Sequence, residues 1–318
     1  MHILIIGAGG MIGRKLAAAL GRSGMLGERK IERMTLVDVV DPPVPTGDAV
    51  VVEAFSADLS SPGVAEDLAA RRADVIFHLA AIVSGEAERD FEKGYRVNLD
   101  ATRALFEAIR LEGERKAYVP RLVFTSSVAV YGVPLPDPVP DHYILAQKAV
   151  AELLLGDYSR RGYLDGIGIR LPTIVIRPGA PNAAASGFFS GILREPLAGK
   201  RSVLPVGDGV KHWLASPRSA VAFLVHAALL DTSSLGARRT LNMPGVAATV
   251  ADQIEALKRA AGPEAEALID RRPDEAIAKI VGGWPKSFAP VRAAQLGFVA
   301  ENSVDELIAV YLEDDAPG

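Results

Sequence analysis

A run of glycines near the N-terminus contains the first residues whose spacing points to a chemical role. Residues 7–13 read Gly-Ala-Gly-Gly-Met-Ile-Gly and lie between a short apolar run and a helix-like stretch. Gly7 and Gly10 would allow a tight turn and the approach of backbone N–H groups to a pyrophosphate, and Gly13 would let the helix pack close to the strand. Taken alone, the pattern also fits an ordinary strand–turn–helix. The residues expected at the phosphates are Gly7, Gly10, Met11, Ile12 and Gly13.

An acidic residue lies where a dinucleotide site needs one. Asp38 ends a second apolar run, 25 residues after Gly13, near the spacing at which a carboxylate accepts hydrogen bonds from both hydroxyls of a ribose. Because a carboxylate repels a 2′-phosphate, the glycines and Asp38 together predict NAD rather than NADP as the cofactor. The alternative interpretation of Asp38 is an ordinary turn residue.

The composition limits the classes of protein to consider. The chain has 318 residues, with 35 Lys and Arg against 39 Asp and Glu, and 49% of its residues are apolar. The slightly acidic balance argues against nucleic-acid binding, which needs clustered cations. The absence of cysteine excludes thiolate nucleophiles, disulfides and Cys-rich zinc or iron–sulfur sites, and we expect no metal site. Since no apolar stretch reaches the length of a membrane span, we expect a cytoplasmic protein with no membrane partner.

Short β-branched runs alternate with longer amphipathic stretches over the first half of the chain. This alternation is typical of a parallel sheet with helices on both faces, so the predicted fold is a doubly wound, Rossmann-type α/β fold. The predicted strands are Ile3–Ile6, Thr35–Val39, Val75–Leu79, Leu122–Thr125, Ile167–Arg170 and Ile174–Ile176, and the predicted helices are Ile12–Leu20, Phe91–Leu111 and Ala146–Tyr158.

The alternation loosens after about residue 177. Pro178 and Gly179 interrupt the pattern there, and further helices are predicted at Phe188–Leu197, Ser219–Leu230, Val250–Ala261, Pro273–Val281 and Val304–Leu312. We therefore expect an NAD-binding domain at residues 1–177 and a smaller α/β substrate-binding subdomain at residues 178–318, with some crossing of the chain between them. A ligand would then lie in the cleft between the carboxyl ends of the parallel strands and the subdomain.

Further motifs follow in order over residues 1 to about 180. They are Asp58-Leu59, His78-Leu79-Ala80-Ala81, Tyr95-Arg96-Val97-Asn98 and Thr125-Ser126-Ser127-Val128-Ala129-Val130-Tyr131-Gly132. Together with the Gly-x-x-Gly-x-x-Gly spacing, they resemble the extended short-chain dehydrogenase/reductase family. The resemblance implies a Rossmann fold and bound NAD. It also implies further cofactor contacts at Asp58, Leu59, Leu79, Ala80, Ala81, Asn98, Lys148, Leu171 and Thr173.

The same resemblance implies a Ser/Tyr/Lys catalytic site. Oxidation of a secondary alcohol needs a base for the hydroxyl proton, and a phenol can serve only if a nearby cation lowers its pKa toward neutrality. By resemblance, Ser127 would hydrogen-bond the substrate oxygen, and Lys148 would be that cation and would also bond the nicotinamide ribose. Asn98 would complete a water-linked proton path from Lys148.

The chain departs from the family pattern at the tyrosine. The family places it four residues before the lysine, where this chain has Ile144, and the nearby phenol is Tyr143, five residues before Lys148. Five residues put Tyr143 about 140° round a helix from Lys148 rather than about 40°. Three explanations stay open: the sequence omits residues of the proline-rich loop 134–140, Tyr143 lies at an irregular helix start, or the tyrosine is absent.

The second half resembles the branch of the family that oxidises the C2 hydroxyl of a four-carbon sugar acid with NAD. The resemblance is carried by residues 170–173, 177–179, 182–189, 193–199 and 215–221. It implies a small sugar acid such as D-erythronate as the substrate, whose carboxylate would need a cation. The candidates are Arg177 and Arg218, each of which could instead be paired with a surface acid. Ser84 and Asn182 are candidates for hydrogen bonds to substrate hydroxyls.

Two other functions stay open. A nucleotide-sugar epimerase or dehydratase would share the Ser-Ser-Val-Ala-Val-Tyr-Gly segment, although such enzymes usually carry an arginine for the diphosphate where residues 211–214 read Lys-His-Trp-Leu. An NAD-binding protein without turnover would follow from Ile144. The long helices Phe91–Leu111 and Ala146–Tyr158 form a dimer bundle in many relatives, so we expect a homodimer.

Overall fold

The computed structural model describes residues 1–47, 49–82, 84–131, 147–179 and 185–316. The strands are β1 (His2–Ile6), β2 (Met25–Leu26), β3 (Arg29–Lys30), β4 (Arg33–Asp38), β5 (Val51–Ser56), β6 (Val75–His78), β7 (Arg121–Ser127), β8 (Asp165–Leu171), β9 (Thr173–Ile174), β10 (Ser202–Leu204), β11 (Lys211–Ala215), β12 (Thr240–Asn242), β13 (Val246–Thr249) and β14 (Ile269–Arg271). The α-helices are α1 (Met11–Ser23), α2 (Val64–Ala70), α3 (Ser84–Arg89), α4 (Phe91–Tyr95), α5 (Ala101–Arg115), α6 (Gln147–Arg160), α7 (Gly187–Leu197), α8 (Pro217–Leu229), α9 (Val250–Ala261), α10 (Pro263–Glu266), α11 (Glu275–Gly282), α12 (Val291–Gln295) and α13 (Val304–Asp314).

The main sheet has seven strands in the order β12-β8-β7-β6-β1-β4-β5. β1 pairs in parallel with β4 on one side and β6 on the other, and the parallel pairing continues from β4 to β5 and from β6 to β7. The order turns back on itself at β1, which is the switch point at which open α/β sheets bind ligands. The predicted Rossmann-type fold is confirmed.

Both faces of this sheet are covered. Leu4, Ile6, Ile76 and Phe124 belong to a buried cluster that includes side chains of α2, α5 and α6. Ile5, which points to the other face because strand side chains alternate, is also fully buried. Strands buried on both faces explain why the runs in the sequence are continuously apolar rather than alternating.

The sequence-based assignments differ from the structure in several places, of which three bear on the main sheet and the helices beside it. β5 was not predicted, because its half-buried residues at the sheet edge give a weak apolar signal. Of the predicted strand Ile174–Ile176, only Ile174 lies in a strand, the two-residue β9, which belongs to a separate three-stranded sheet, β13-β11-β9. The predicted helix Phe91–Leu111 is α4 and α5 joined by a π-helical turn at Arg96–Asp100.

By their internal contacts the residues divide into two compact units. Among the described residues, the first unit lies within residues 1–130, 147–170 and 221–241, and the second lies within residues 171–220 and 242–316 and includes residue 131. Within the second unit, a cluster of buried apolar side chains joins α7, α9 and α13, including Leu193, Leu257 and Leu307. The single boundary after residue 177 stays a prediction of domain organisation. In the described part of the chain, no helix combines the length and the apolar character that crossing a bilayer requires.

Candidate active site

The glycine turn between β1 and α1 is set by close backbone contacts. Gly7 has φ +93°, and a Cβ atom there would lie 2.6 Å from the amide nitrogen of Ala80. A Cβ atom at Gly13 would lie 2.2 Å from the carbonyl oxygen of Gly7. Both positions therefore exclude any side chain. Gly7 brings the β1–α1 turn against the segment that follows β6, and Gly13 brings the first turn of α1 against Gly7 and Ala8.

The backbone conformation at Gly10 does not require glycine, in contrast to the tight turn expected from the sequence. Its φ of −69° and ψ of 161° are open to any residue, and the nearest atom to a Cβ there is 3.4 Å away. Gly10 precedes the first residue of α1, no side chain caps the helix in the described part of the chain, and the first turn carries no acid. The N–H groups at this end, which include those of Met11 and Ile12, could thus bind an anion without competition from a carboxylate of that turn.

Asp38 lies beside this turn, at the end of β4. Its Oδ2 accepts a hydrogen bond from the Gly9 N–H at 2.9 Å, and its Oδ1 accepts one from the Val39 N–H at 2.7 Å. A Cβ at Gly9 would lie 3.2 Å from the Asp38 carboxyl carbon and 2.9 Å from the Val40 Cγ2. Gly9 is therefore a further candidate site residue, which the sequence analysis missed because its need for glycine arises from residues about 30 positions away.

The segments after β5 and β6 lie at the same edge of the sheet. The Asp58 carboxylate accepts hydrogen bonds from the Ser60 N–H at 2.8 Å and the Ser60 hydroxyl at 2.7 Å, while Leu59 is buried. The N–H groups of Leu79 and Ala80 both bond the carbonyl of Ile6, which holds the segment 79–81 beside the end of β1. Ala81 is exposed. This part of the chain fits a dinucleotide lying along the carboxyl edge.

Asn98 lies in the π-helical turn and is buried. Its Oδ1 accepts a hydrogen bond from the Ile82 N–H at 3.0 Å, and its Nδ2 donates to the Ile82 carbonyl at 3.4 Å. The Thr102 hydroxyl donates to the carbonyl of Asn98 at 3.1 Å and lies 2.9 Å from the His78 Nε2. Asn98 thus ties the π-helical turn to the chain after β6. Its part in a water-linked proton path stays a prediction.

Ser127 and Lys148 both lie at the carboxyl end of β7. The Ser127 Oγ accepts a hydrogen bond from the Ala129 N–H at 3.1 Å, and Ser127 remains partly exposed. The Lys148 Nζ donates to the carbonyl of Thr125 at 2.7 Å and lies 5.5 Å from the centre of the Phe124 ring. Burial lowers the pKa of Lys148 to about 8, an effect that the charge of Glu152 opposes.

Several predicted positions lie outside the described residues. These are Tyr143, the proline-rich loop 134–140 and Asn182. Ser84 is the first residue of α3, and its side chain is likewise outside the described part. The roles of Tyr143, Asn182 and Ser84 stay predictions.

Arg177 is a half-buried cation in the second unit. Its Nε donates to the Ile174 carbonyl at 2.9 Å, and its Nη2 donates to the Ser186 hydroxyl at 3.2 Å. No carboxylate of the described residues forms an ion pair with it, and burial followed by the charge of Arg194 lowers the pKa of the Arg177 guanidinium from its ordinary value. A half-buried guanidinium that lacks a carboxylate partner among the described residues favours an anion nearby.

Arg218 shows the opposite arrangement. Its guanidinium is paired with Asp314 at 2.5 Å and Glu313 at 2.8 Å, both near the end of α13. The geometry favours the alternative stated from the sequence, an arginine paired with surface acids. Of the two candidate cations, Arg177 is the one that the geometry favours for a substrate carboxylate.

Thr173 and Leu171 lie near the start of the second unit. The Thr173 Oγ1 lies 2.6 Å from the His212 Nε2, and the His212 Nδ1 lies 3.0 Å from the Pro285 carbonyl. Because the carbonyl can only accept, Nδ1 carries the proton and Nε2 accepts from Thr173. Burial lowers the pKa of His212 to about 4. The Thr173 hydroxyl therefore already donates within the protein, and its cofactor contact, like that of the half-buried Leu171, stays a prediction.

The edge formed by β1, β4 and β6 fits a dinucleotide. The turn at Gly7 is a cradle that a Cβ would fill, the start of α1 is free of acidic residues, and Asp38 is held beside it. Residues 3–214 match the NAD dependent epimerase/dehydratase family, and the chain belongs to that family. It is an NAD-dependent oxidoreductase.

Particular relatives cover nearly the whole chain. A D-erythronate dehydrogenase of Cupriavidus necator is 47% identical over 326 residues, covering 99% of this chain and 98% of the relative. A D-erythronate dehydrogenase of Haemophilus influenzae is 38% identical over 322 residues, covering 99% and 100%. The solved structure described as a nucleoside-diphosphate-sugar epimerase from Agrobacterium tumefaciens is 58% identical, has a TM-score of 0.97, and is matched over 99% of this chain and 94% of its own.

Proposed function

We propose that this protein oxidises the C2 hydroxyl of a short sugar acid, converting D-erythronate to 2-oxo-erythronate with NAD. The observation that carries the proposal is the similarity to two curated D-erythronate dehydrogenases over almost their whole length. Two features of the structure support it. A lysine ammonium and a serine hydroxyl lie at the carboxyl end of β7, and Arg177 lacks a counter-ion among the described residues.

The reaction needs one group to hold the alcohol and another to take its proton. We assign the first role to the Ser127 hydroxyl, which would bond the C2 oxygen. The Tyr143 phenol would take the hydroxyl proton, with its pKa lowered by the Lys148 ammonium. When bound, NAD supplies the acceptor for the hydride. Lys148 would also bond the nicotinamide ribose, which would keep the ammonium in place throughout the reaction.

The substrate carboxylate is assigned to Arg177. A guanidinium that is half-buried and lacks a carboxylate partner gains more from an anion than a solvated one does, because its charge is poorly screened. Replacing Arg177 with Lys would keep a positive charge but lose the bidentate geometry. We expect this variant to raise the KM for the sugar acid by about tenfold or more with a smaller effect on kcat.

The test is the formation of NADH from D-erythronate by the purified protein. We expect turnover with NAD, and at least a hundredfold loss of kcat in Ser127→Ala and in Lys148→Met, with both variants folded by circular dichroism. Full activity of either variant would show that the replaced residue has no role in the proposed reaction. No NADH from D-erythronate together with turnover of a nucleotide sugar would overturn the proposal.

A second candidate is a nucleotide-sugar epimerase, which is favoured by the description of the Agrobacterium tumefaciens structure. An epimerase would hold NAD tightly through purification and would bind UDP. Against it, the segment 211–214 offers no arginine for a diphosphate, and His212 is buried and bonded to Pro285 and Thr173. A competition assay separates the two, because UDP should not inhibit oxidation of D-erythronate.

We also propose a homodimer formed by α5 and α6. The two helices pack against each other, with the Phe106 and Tyr158 rings 5.8 Å apart. α6 and the segment that leads into α5 carry exposed apolar side chains, with Val150 43% and Leu153 70% exposed on α6 and Phe91 67% exposed on α4. Burying such side chains between two copies would remove them from water. The cytoplasmic location stays a prediction.

A further inference from the structure

A buried charged pair lies one helical turn beyond Lys148. Glu152 on α6 and Arg170 on β8 are only 6% and 3% exposed. The Arg170 Nε donates to the Glu152 Oε1 at 2.9 Å, and the Arg170 Nη2 donates to Oε2 at 2.6 Å. The Ser126 hydroxyl of β7 also donates to Oε1. A single carboxylate thus connects α6 to two strands of the main sheet.

Such a pair is costly to build for stability alone. Removing a carboxylate and a guanidinium from water costs several kcal/mol for each ion, and an apolar pair of similar volume often does as well. Its placement suggests another purpose. Lys148 and Glu152 are four residues apart and lie on one face of α6, and the Lys148 Nζ bonds the carbonyl of Thr125, the residue before Ser126.

We propose that Glu152 is a positioning residue for Lys148, fixing the first turns of α6 against β7 and β8 so that the ammonium stays charged at the end of β7. The inference rests on the role of Lys148 in the proposed function. Glu152 itself forms no ion pair with Lys148 in the described part of the chain. Glu152 acts on Lys148 by fixing the position of α6 and through the electrostatic field of its own carboxylate.

Glu152 supplies a negative charge that favours the protonated form of Lys148. The titratable groups that act on Lys148 are Glu152 on its own helix and the neutral His78 from β6, and the Phe124 ring of β7 lies beside the ammonium. Arg170 of β8 is paired with Glu152. Burial lowers the pKa of Lys148 to about 8, and Glu152 is the negative group that opposes this. Without Glu152 this opposing negative charge is lost, so the pKa of Lys148 would fall further and the ammonium would give up its proton more readily.

The first experiment measures the titration of Lys148 directly, by 13C NMR of the lysine ε-carbons in the cofactor-free protein, with Lys148→Met to assign the signal. In Glu152→Gln we expect the midpoint to fall by roughly one pH unit. In Glu152→Asp, which keeps the charge, we expect it to stay within a few tenths of a unit. An unchanged midpoint in Glu152→Gln, or an equal shift in the two variants, would overturn the proposal.

Glu112→Gln is the matched control, because Glu112 on α5 forms a similar pair with Arg72, at 2.6 Å, near the opposite end of that helix from the π-helical turn. We expect no shift of the Lys148 signal in this variant. Glu152→Gln removes the buried carboxylate that pairs with Arg170 and could fail to fold. The double variant Glu152→Met with Arg170→Met removes both charges, and its Lys148 midpoint should also fall below the wild-type value; an unchanged midpoint there counts against the proposal.

The second experiment is the pH profile of kcat/KM for D-erythronate. We expect Glu152→Gln to lose at least tenfold of the wild-type value at pH 7 and Glu152→Asp to recover most of it. An activity loss that is the same at every pH would mean a structural role only and would overturn the proposal. If the wild-type protein does not oxidise D-erythronate, the proposed function fails, whereas the NMR titration still decides the role of Glu152.

Discussion

At the scale of single residues, the dinucleotide turn is determined by where a side chain cannot fit. Gly7 and Gly13 exclude a Cβ because backbone atoms lie at 2.6 Å and 2.2 Å from it, and Gly9 excludes one because Asp38 and Val40 are adjacent. No atom of the described residues excludes a Cβ at Gly10, so we expect glycine there to matter for the approach of the cofactor. The four glycines therefore contribute to the site for different reasons.

This difference predicts separate effects of two alanine substitutions. Gly13→Ala should lower the free energy of unfolding by several kcal/mol, since Gly7 would have to move, and NAD binding should be lost with it. Gly10→Ala should change the free energy of unfolding by less than about 1 kcal/mol yet weaken NAD binding about tenfold or more. Urea unfolding and NADH fluorescence titration measure the two quantities. Equal stability losses in the two variants would contradict the prediction.

Asp38 gives the prediction for cofactor choice. Asp38→Asn removes the negative charge and keeps one oxygen that can accept the hydrogen bond of Gly9. We expect the ratio of kcat/KM for NADP to that for NAD to rise about tenfold or more, because the repulsion of a 2′-phosphate is removed. Asp41→Asn, an exposed acid three residues later, is the control and should leave the ratio unchanged. If the ratio of kcat/KM for NADP to that for NAD is the same in Asp38→Asn and the wild type, Asp38 is a turn residue and does not select the cofactor.

At the scale of elements, the junction of β6 with the π-helical turn holds a buried histidine. His78 is 1% exposed, and its Nε2 lies 2.9 Å from the Thr102 hydroxyl, which itself donates to the Asn98 carbonyl. Because that hydroxyl donates elsewhere, it accepts from Nε2, which fixes the tautomer. Burial, and then the charge of Lys148, lower the pKa of His78 to about 3. The surroundings of His78 thus favour the neutral form of its imidazole ring.

This arrangement makes the stability of the protein depend on pH. Between about pH 6.5 and pH 3 the unfolded chain binds a proton at His78 that the folded chain does not, so the free energy of unfolding falls as the pH falls through this window. At pH 5 the loss from this residue alone is about 2 kcal/mol relative to pH 7.5. In His78→Gln, the amide can still donate to Thr102. The free energy of unfolding measured in urea should therefore fall by about 2 kcal/mol less between pH 7.5 and pH 5 than it does in the wild type. Equal losses in the two proteins would show that His78 is not responsible.

The sequence predicted the position of the helices α4 and α5 but not the π-helical turn between them. The apolar spacing predicted one helix from Phe91 to Leu111, and α4 and α5 do occupy that stretch. The π-helical turn within it cannot be read from periodicity, since it depends on Asn98 bonding both backbone groups of Ile82, which lies beyond the helix. Edge strands such as β5 are missed for a related reason, because partial burial weakens the apolar pattern.

At the scale of the whole molecule, the proposed dimer gives a prediction about assembly. Leu153→Lys places a charge on the exposed face of α6 and should convert a dimer into a monomer, because a lysine buried between two copies lacks a partner. Val299→Lys is the matched control, since Val299 is 73% exposed in the second unit and Leu153 is 70% exposed. Sedimentation velocity measures the outcome. A wild-type monomer at micromolar concentration would refute the dimer.

The amino-acid sequence by itself determined the doubly wound fold and the NAD cofactor, because both follow from local patterns: a glycine turn, an acid after the next strand, and alternating strands and helices. Only the tertiary structure decided which charged side chains are paired within the protein and which are left to bind a ligand. It pairs Arg218 with the end of α13, leaves Arg177 without a carboxylate among the described residues, and places Glu152 between β7 and β8. The reason is that an ion pair depends on distance in space, and the partners lie from 18 to 96 residues apart along the chain.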